Sequence, residues 1–466
     1  MSRTPASVEL PTALTIATSD SGGGAGTQAD LKTMEACRTF GTSVLCATTA
    51  QNTQGVESVH VLPTEEIGAQ LEAVCGDFEV GAAKTGMLAT AEVVEFVAER
   101  AQEFSFPLVV DPVMVATSGD RLLEPAGEAA YEDLIAEATL VTPNAEEATV
   151  LTDVAIDGEE AAIEAGEAIR RMGAAAALMK GGHIPGEAVG DVLVGADGAE
   201  TFTHPRVGTD ATHGSGCTLA SAIAAHLARG EDLEEAVGEG IDLLSRAVHY
   251  PLDIGEGPGT VHHLVEIRER AARDATASAV REAVDSLVVR DVAPLVPEVG
   301  TNVAGATPYA ETIEEVAAVE GRITRTPGGA EPTRGVAFGA SEHAARFLLA
   351  AREEAPELRF ALDCRFDGEI EAALAGLDGP VVELTGDWRS GSADGTPERA
   401  IREVFSGTKG EASEGDASGG TPVAGIERDP VDREALAWIV APDSETLVER
   451  VTTVLDALDG GRSDSA

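Results

Sequence analysis

Along residues 1–265, short apolar runs alternate with amphipathic stretches. LTIAT (14–18), FEVGAAKTGML (78–88), FPLVVDPVM (106–114), ATLVTPN (138–144), AAALMKGG (175–182) and AVGDVLVG (188–195) have the length and apolar content of buried strands. Segments 26–40, 64–75, 90–103, 158–172 and 216–229 carry the spacing of helices with one apolar face. Such alternation predicts an α/β layered fold with a mainly parallel sheet. Ligands of these sheets bind at the carboxyl ends of the strands, and the polar motifs fall there. Residues 263–290 hold no Gly or Pro and read as helical, which predicts a helical connector over 266–289. Strand–helix alternation then restarts with GVAFGA, LRFALDCRF, PVVELTG and ALAWIVAP, each followed by a helical pattern. A second, smaller α/β domain is therefore expected over 290–460, with a disordered tail at 461–466. Segments 389–396 and 406–421 are rich in Gly, Ser and acids and read as loops.

Charge changes the picture. The 466 residues include 32 Lys plus Arg against 81 Asp plus Glu, a formal net charge of −49. A chain this acidic is not expected to bind nucleic acid or an anionic membrane through general electrostatics. No apolar run approaches the roughly 18 residues of a membrane span, and the first residues lack a signal-peptide core, so the expected location is the cytoplasm. Only four residues are Lys: Lys32, Lys84, Lys180 and Lys409. Acid spread along the chain, with Lys nearly absent, fits a halophile's protein, since molar salt shortens the Debye length to about 3 Å. In such a chain each surviving Lys marks a position where Arg does not serve. The five Cys are irregularly spaced without a C-x-x-C, which argues for a reducing compartment and against a zinc site.

Four segments carry candidate chemistry. In THGSGCTLASAIAAHLARG (212–230), Gly214, Ser215 and Gly216 lead into a helix. A Gly-rich turn there points several backbone N–H groups at one spot, which suits phosphate. Cys217 sits at the helix start, where a thiol is expected to have a lowered pKa and to act as base or nucleophile. DSGGGAGTQADLKT (20–33) is a second Gly-rich turn, and it matches neither the P-loop nor the dinucleotide fingerprint. Asp111 ends the strand VVDPVM. Asn144 and Glu147 stand three apart in TPNAEE, and Lys180 precedes two Gly in MKGGH. Carboxylates and amides at strand ends suit Mg2+ bound through water and phosphate. Taken singly, each segment also reads as a helix cap or a ligand-free turn.

Their order and spacing resemble the ribokinase-like superfamily, and within it the hydroxymethylpyrimidine/phosphomethylpyrimidine kinases of thiamine biosynthesis. The resemblance spans about 12–265, on TIATSDSGGGAGTQADLKT, ATTAQNTQGV, KTGML, VVDPVM, VTPNAEEA, LMKGGH, THGSGCTLASAIA and GPGTVHHL. It implies a three-layer fold and two MgATP-dependent phosphorylations, with ATP and Mg2+ as cofactors. It makes the 214–217 turn the anion hole for the transferred phosphoryl group and Cys217 the base for the substrate CH₂OH. Lys180 would neutralise ATP phosphates, Asn144 and Glu147 would organise Mg2+, and Asp111 would assist. Gln51 would pair with the pyrimidine, and Gly22, Gly23 and Met87 would line its pocket. Ser215 and Thr27 are mild departures from the usual Thr and aliphatic residue. Such kinases are commonly dimers, so a homodimer is expected. A pyridoxal-type vitamin kinase is the alternative within this fold.

The stretch 285–457 resembles the archaeal type of thiamine-phosphate synthase domain, on PEVGTNVAGATPYAETIEEVAAVEGRI and VAFGASEHAARFLLAA. That resemblance implies condensation of the pyrimidine diphosphate with thiazole phosphate and release of pyrophosphate. Arg322, after an apparent helix, and His343, at the start of the next, match the family's functional Arg and His. Arg346 lies on the same helical face as His343, and Asn302 and Ser341 could add hydrogen bonds. Where relatives carry a Lys-Glu-Pro-like element, this chain reads DPVDREALAWIV (429–440), so either Arg433-Glu434 substitutes or a phosphate contact is missing. That departure leaves a second possibility, a domain that only senses thiamine phosphate beside an active kinase.

Overall fold

A computed structural model of the chain describes residues 8–114, 125–183, 188–384, 397–406, 420–428 and 434–463. Lys409, Arg433, the 389–396 segment and most of 406–421 lie outside them. The chain divides into two units, Met1–Ile267 and Arg268–Ala466.

The first unit runs β1 (Thr12–Ala17), α1 (Gly26–Ala36), β2 (Phe40–Leu45), β3 (Ala47–Asn52), β4 (Gly55–Val61), α2 (Thr64–Asp77), β5 (Val80–Thr85), α3 (Ala91–Ala101) and β6 (Leu108–Val110). It continues with α4 (Pro125–Ala136), β7 (Leu140–Val141), α5 (Ala145–Thr152), α6 (Glu159–Arg171), β8 (Ala176–Met179), β9 (Ala188–Gly195), β10 (Gly198–Pro205), α7 (Ser215–Ala228) and α8 (Leu233–His249). The main sheet has eight strands in the order β10-β9-β8-β7-β6-β5-β1-β2. From β2 through β8 every pairing is parallel, and β9 and β10 close one side antiparallel. Successive residues of the buried strands face opposite layers. Val110 and Val141 pack with helices α2, α3, α4 and α6, while Val109 and Leu140 pack with α7 and α8. Strands β3 and β4 form a separate two-stranded hairpin, and its β3 carries Gln51.

The second unit opens with α9 (Val265–Val289), which begins before the division. There follow β11 (Val303–Ala306), β12 (Val316–Val319), β13 (Ile323–Thr326), β14 (Gly329–Pro332), β15 (Val336–Phe338), α10 (Glu342–Glu354), β16 (Phe360–Arg365), α11 (Gly368–Leu374), β17 (Val381–Glu383), α12 (Pro397–Ser406), β18 (Ala424–Glu427), β19 (Leu436–Ala441) and α13 (Ser444–Ser463). Seven strands form one sheet in the order β15-β12-β11-β16-β19-β18-β17, antiparallel except for β17 against β18. Helices α9, α11 and α13 cover one face, and α10 and α12 the other. The stretch read as a connector is thus the helix whose Val280, Val284 and Leu287 pack into this core. Two expectations change. Arg322 follows strand β12, not a helix, because VAAV is buried on both faces between β11 and β15. The last helix also runs to Ser463, past the expected end of order.

Candidate active site

The parallel strands of the first unit deliver their polar ends to one cleft of about 490 Å³. Its walls include Asp20, Gln51, Lys84, Met87, Asp111, Asn144, Glu147, Lys180, His213 and the whole 214–217 turn. The resemblance-derived residues of this unit therefore meet, with two exceptions. Gly22 and Gly23 fold around Asp20, donating their N–H groups to its side chain and carbonyl, and are not among the cleft walls.

The two Gly-rich turns lean on each other. Gly214 has φ +83°, and a Cβ there would come within 1.9 Å of the Gly24 carbonyl oxygen, so only glycine fits. Gly214 caps α7 without any side-chain bond, leaving the helix N-terminus directed to the cleft. The Gly26 N–H faces the Cys217 thiol and favours its thiolate. Burial dominates that thiol: its pKa is pushed up to about 12, against the opposing pull of the Lys84 ammonium. The expected lowering at a helix N-terminus is thus reversed, because desolvation outweighs the helix dipole.

Asp111 Oδ1 lies 2.9 Å from Lys180 Nζ and accepts from Thr142 Oγ1 at 3.2 Å. Glu147 Oε2 is 3.8 Å from the same ammonium. Asn144 and Glu147 also form a reciprocal capping box at the start of α5, so the cap and the cleft wall are the same residues. Burial raises the Glu147 pKa to about 7, Lys180 opposes this, and Asp111 adds to it. Among the described residues no group of three or more His, Cys, Asp or Glu is arranged to hold a metal ion. The neighbouring carboxylates of Asp111 and Glu147 still fit Mg2+, which takes one or two protein carboxylates and completes its shell with water and substrate oxygens.

Sequence reasoning missed three groups here. Asp20 and His213 meet at 3.3 Å under the first turn. Lys84 is fully buried and donates to both carboxylate oxygens of Asp30 at 3.1 Å. His204 contacts Asp191 at 3.3 Å on another wall. The scarcity of Lys was the available signal for Lys84. Asp20 and His213 stood inside quoted motifs without an assigned role.

In the second unit the candidates separate into two kinds. The Asn302 side chain is buried and bonds the backbone of Val319 in both directions at 2.9 Å, bracing β11 to β12. Ser341 caps α10, and Arg346 is ion-paired with Glu342 at 2.7 Å on the exposed side. Arg322 instead adopts φ +81°, a strained value for a non-glycine residue. Its guanidinium donates to the Gly300 carbonyl at 3.0 Å and lies 3.5 Å from Asp363. His343 rests on Trp438, ring centres 5.2 Å apart, and Trp438 is the cross-strand partner of Asp363. Arg322 and His343 thus approach one cross-strand pair from its two residues.

Comparison with known proteins finds relatives for each unit. A family model described as phosphomethylpyrimidine kinase matches residues 20–262, and one described as thiamine-phosphate synthase ThiN matches 279–453. A hydroxymethylpyrimidine/phosphomethylpyrimidine kinase of Rhizobium meliloti is 48% identical over 255 residues, covering 54% of this chain and 96% of that protein. A thiamine biosynthesis bifunctional protein, ThiED, of Geobacter sulfurreducens is 43% identical, covering 55% of this chain and 54% of its own length. Among solved structures, an ADP complex of Bacillus subtilis pyridoxal kinase matches with TM-score 0.52 and 33% identity, over 55% of this chain and 98% of that one. With its cleft at the carboxyl ends of a parallel sheet, the chain belongs to the phosphomethylpyrimidine kinase family and carries a ThiN thiamine-phosphate synthase domain behind it.

Proposed function

We propose that the first domain phosphorylates hydroxymethylpyrimidine and then its monophosphate, and that the second joins the resulting diphosphate to thiazole phosphate. The observation that carries the first step is the convergence of Cys217, Lys180 and an uncapped helix N-terminus on one cleft. Gln51 holds the pyrimidine, with Met87 beside it. The substrate oxygen attacks the γ-phosphorus of ATP and ADP leaves. Cys217, in its thiolate form, receives the hydroxyl proton, while the N–H groups of the 214–217 turn and Lys180 hold the phosphoryl oxygens. Asp111 and Glu147, with Asn144 behind them, would hold Mg2+, which neutralises phosphate charge when bound. In the second domain Arg322 binds the departing pyrophosphate and His343 lies beside it.

The assay combines hydroxymethylpyrimidine, MgATP and thiazole phosphate with the full chain in about 2–3 M KCl, where surface charge is screened. Thiamine phosphate is the expected product. His343→Ala should stop it and let the pyrimidine diphosphate accumulate. Accumulation of that diphosphate in the unsubstituted protein would leave an active kinase with a sensor domain behind it. No phosphorylated pyrimidine at all would direct attention to pyridoxal, the ligand class of the structural relatives.

The −49 charge supports adaptation to molar salt, and a homodimer is proposed only from the family resemblance. Salt adaptation implies unfolding below about 0.5 M KCl, where self-repulsion is no longer screened. A melting temperature independent of salt between about 0.1 and 3 M would overturn it.

A further inference from the structure

In the structure Gln51 Nε2 lies 3.4 Å from His213 Nε2, and Gln51 Oε1 lies 3.4 Å from Thr49 Oγ1. His213 Nε2 is also 3.3 Å from Asp20 Oδ2. Asp20 is 2% exposed and accepts the N–H groups of Gly22, Gly24 and Ala25 at 2.8, 2.9 and 2.7 Å. Burial opposes its charge, yet His213 and these N–H groups outweigh it, and the Asp20 pKa falls below the ordinary range. Asp20 is therefore a carboxylate, which only accepts. The proton between it and His213 must sit on Nε2, whether the ring is neutral or charged. A protonated Nε2 cannot accept from an amide N–H, so the side of Gln51 facing His213 is its oxygen.

Thr49 gives the same answer independently. Its hydroxyl has two acceptors in reach, the Ser19 carbonyl at 2.8 Å and Gln51 Oε1 at 3.4 Å, and its single proton goes to the shorter contact. Toward Gln51 its oxygen can only accept, so the side of the amide facing Thr49 is the nitrogen. Exchanging the amide oxygen and nitrogen from this placement leaves its shape unchanged, and the exchanged orientation is the one that satisfies both neighbours.

We infer that Asp20, His213 and Thr49 are positioning residues that lock the Gln51 amide, oxygen toward His213 and nitrogen toward Thr49, so that the cleft reads a ligand edge with a ring-nitrogen acceptor and an amino donor in one order. The inference rests on the pyrimidine reading of the site and deepens it. Gln51 is on the β3–β4 hairpin and His213 directly precedes the α7 turn. The lock therefore ties recognition of the ring to the element that holds the phosphoryl group.

The test is a double-substitution cycle on the full chain, with hydroxymethylpyrimidine and MgATP as substrates. His213→Ala should raise KM for the pyrimidine about tenfold or more and leave kcat within about threefold, since a free amide must be reoriented on binding. His213→Gln, whose own amide can present an N–H at that point, should recover most of the loss. In a Gln51→Ala background His213→Ala should change KM less than about twofold. Thr49→Val reads the lock from its other side and should raise KM in the same masked way, should the His213 variants not fold. KM losses that multiply in the double variant, or a fall in kcat with KM unchanged, would overturn the lock alone. Unsubstituted protein that leaves the pyrimidine unphosphorylated would overturn the functional reading and the lock with it.

Discussion

Replacing Cys217 with alanine should lower kcat for pyrimidine phosphorylation by roughly 10²–10⁴-fold, the usual contribution of a positioned base. KM should stay within a few-fold, because the thiol acts on the hydroxyl proton and Gln51 holds the ring. The state of the thiol follows from magnitudes. Raising its pKa from 9.0 to about 12 corresponds to roughly 4 kcal/mol against the thiolate. A helix N-terminus returns at most about 2 kcal/mol. The resting group is therefore a thiol at neutral pH that acts as the base only after losing its own proton, so the thiolate share, and kcat with it, should rise tenfold per pH unit. Alkylation of Cys217 by iodoacetamide, followed on the isolated peptide, should climb through about pH 10 without levelling. A plateau near pH 7 would show that the local cations outweigh burial. Wild-type kcat in the Cys217→Ala protein would remove the base assignment.

What was legible in the sequence depended on where each residue's partners lie. The core strands could be read directly because Leu108–Val110 and Ala176–Met179 are buried on both faces and so are continuously apolar. Strand β10 and the β3–β4 hairpin are largely exposed and polar, so periodicity passed over them. Gln51 was accordingly found through the resemblance rather than through pattern. The stretch VAAV before Arg322 fits either a helix or a strand by itself, and its partners in β11 and β15 decide between them. Position did place Cys217 at a helix start, but the direction of its pKa depends on burial built from distant segments. Asp20 and His213 are 193 residues apart, and no local spacing could pair them.

Lys84→Met should destabilise the first domain by about 3–5 kcal/mol, the cost of stranding one member of a buried ion pair. Lys84 and Asp30 are both 0% exposed. Asp30 also accepts from Thr15 at 2.6 Å and from Ser221 at 2.7 Å, so one carboxylate ties α1, β1, β5 and α7 together. Methionine leaves that carboxylate with two hydroxyls and no cation. For a domain of this size the melting temperature should drop by roughly 6–20 °C, readable by calorimetry. Lys84→Arg should not rescue it. Lys84 and its partner are both fully enclosed, so the larger, planar guanidinium overfills the site. This is the physical content of a lysine retained in a chain that otherwise uses Arg. Replacing both members, Lys84→Met with Asp30→Leu, should restore most of the stability, since a buried pair is often no better than apolar packing. Activity should not return with it, because Lys84 is the cation that opposes burial at Cys217. A double variant that is both stable and fully active would assign Lys84 to packing alone, and a loss below about 1 kcal/mol in Lys84→Met would show that Asp30 does not need its partner.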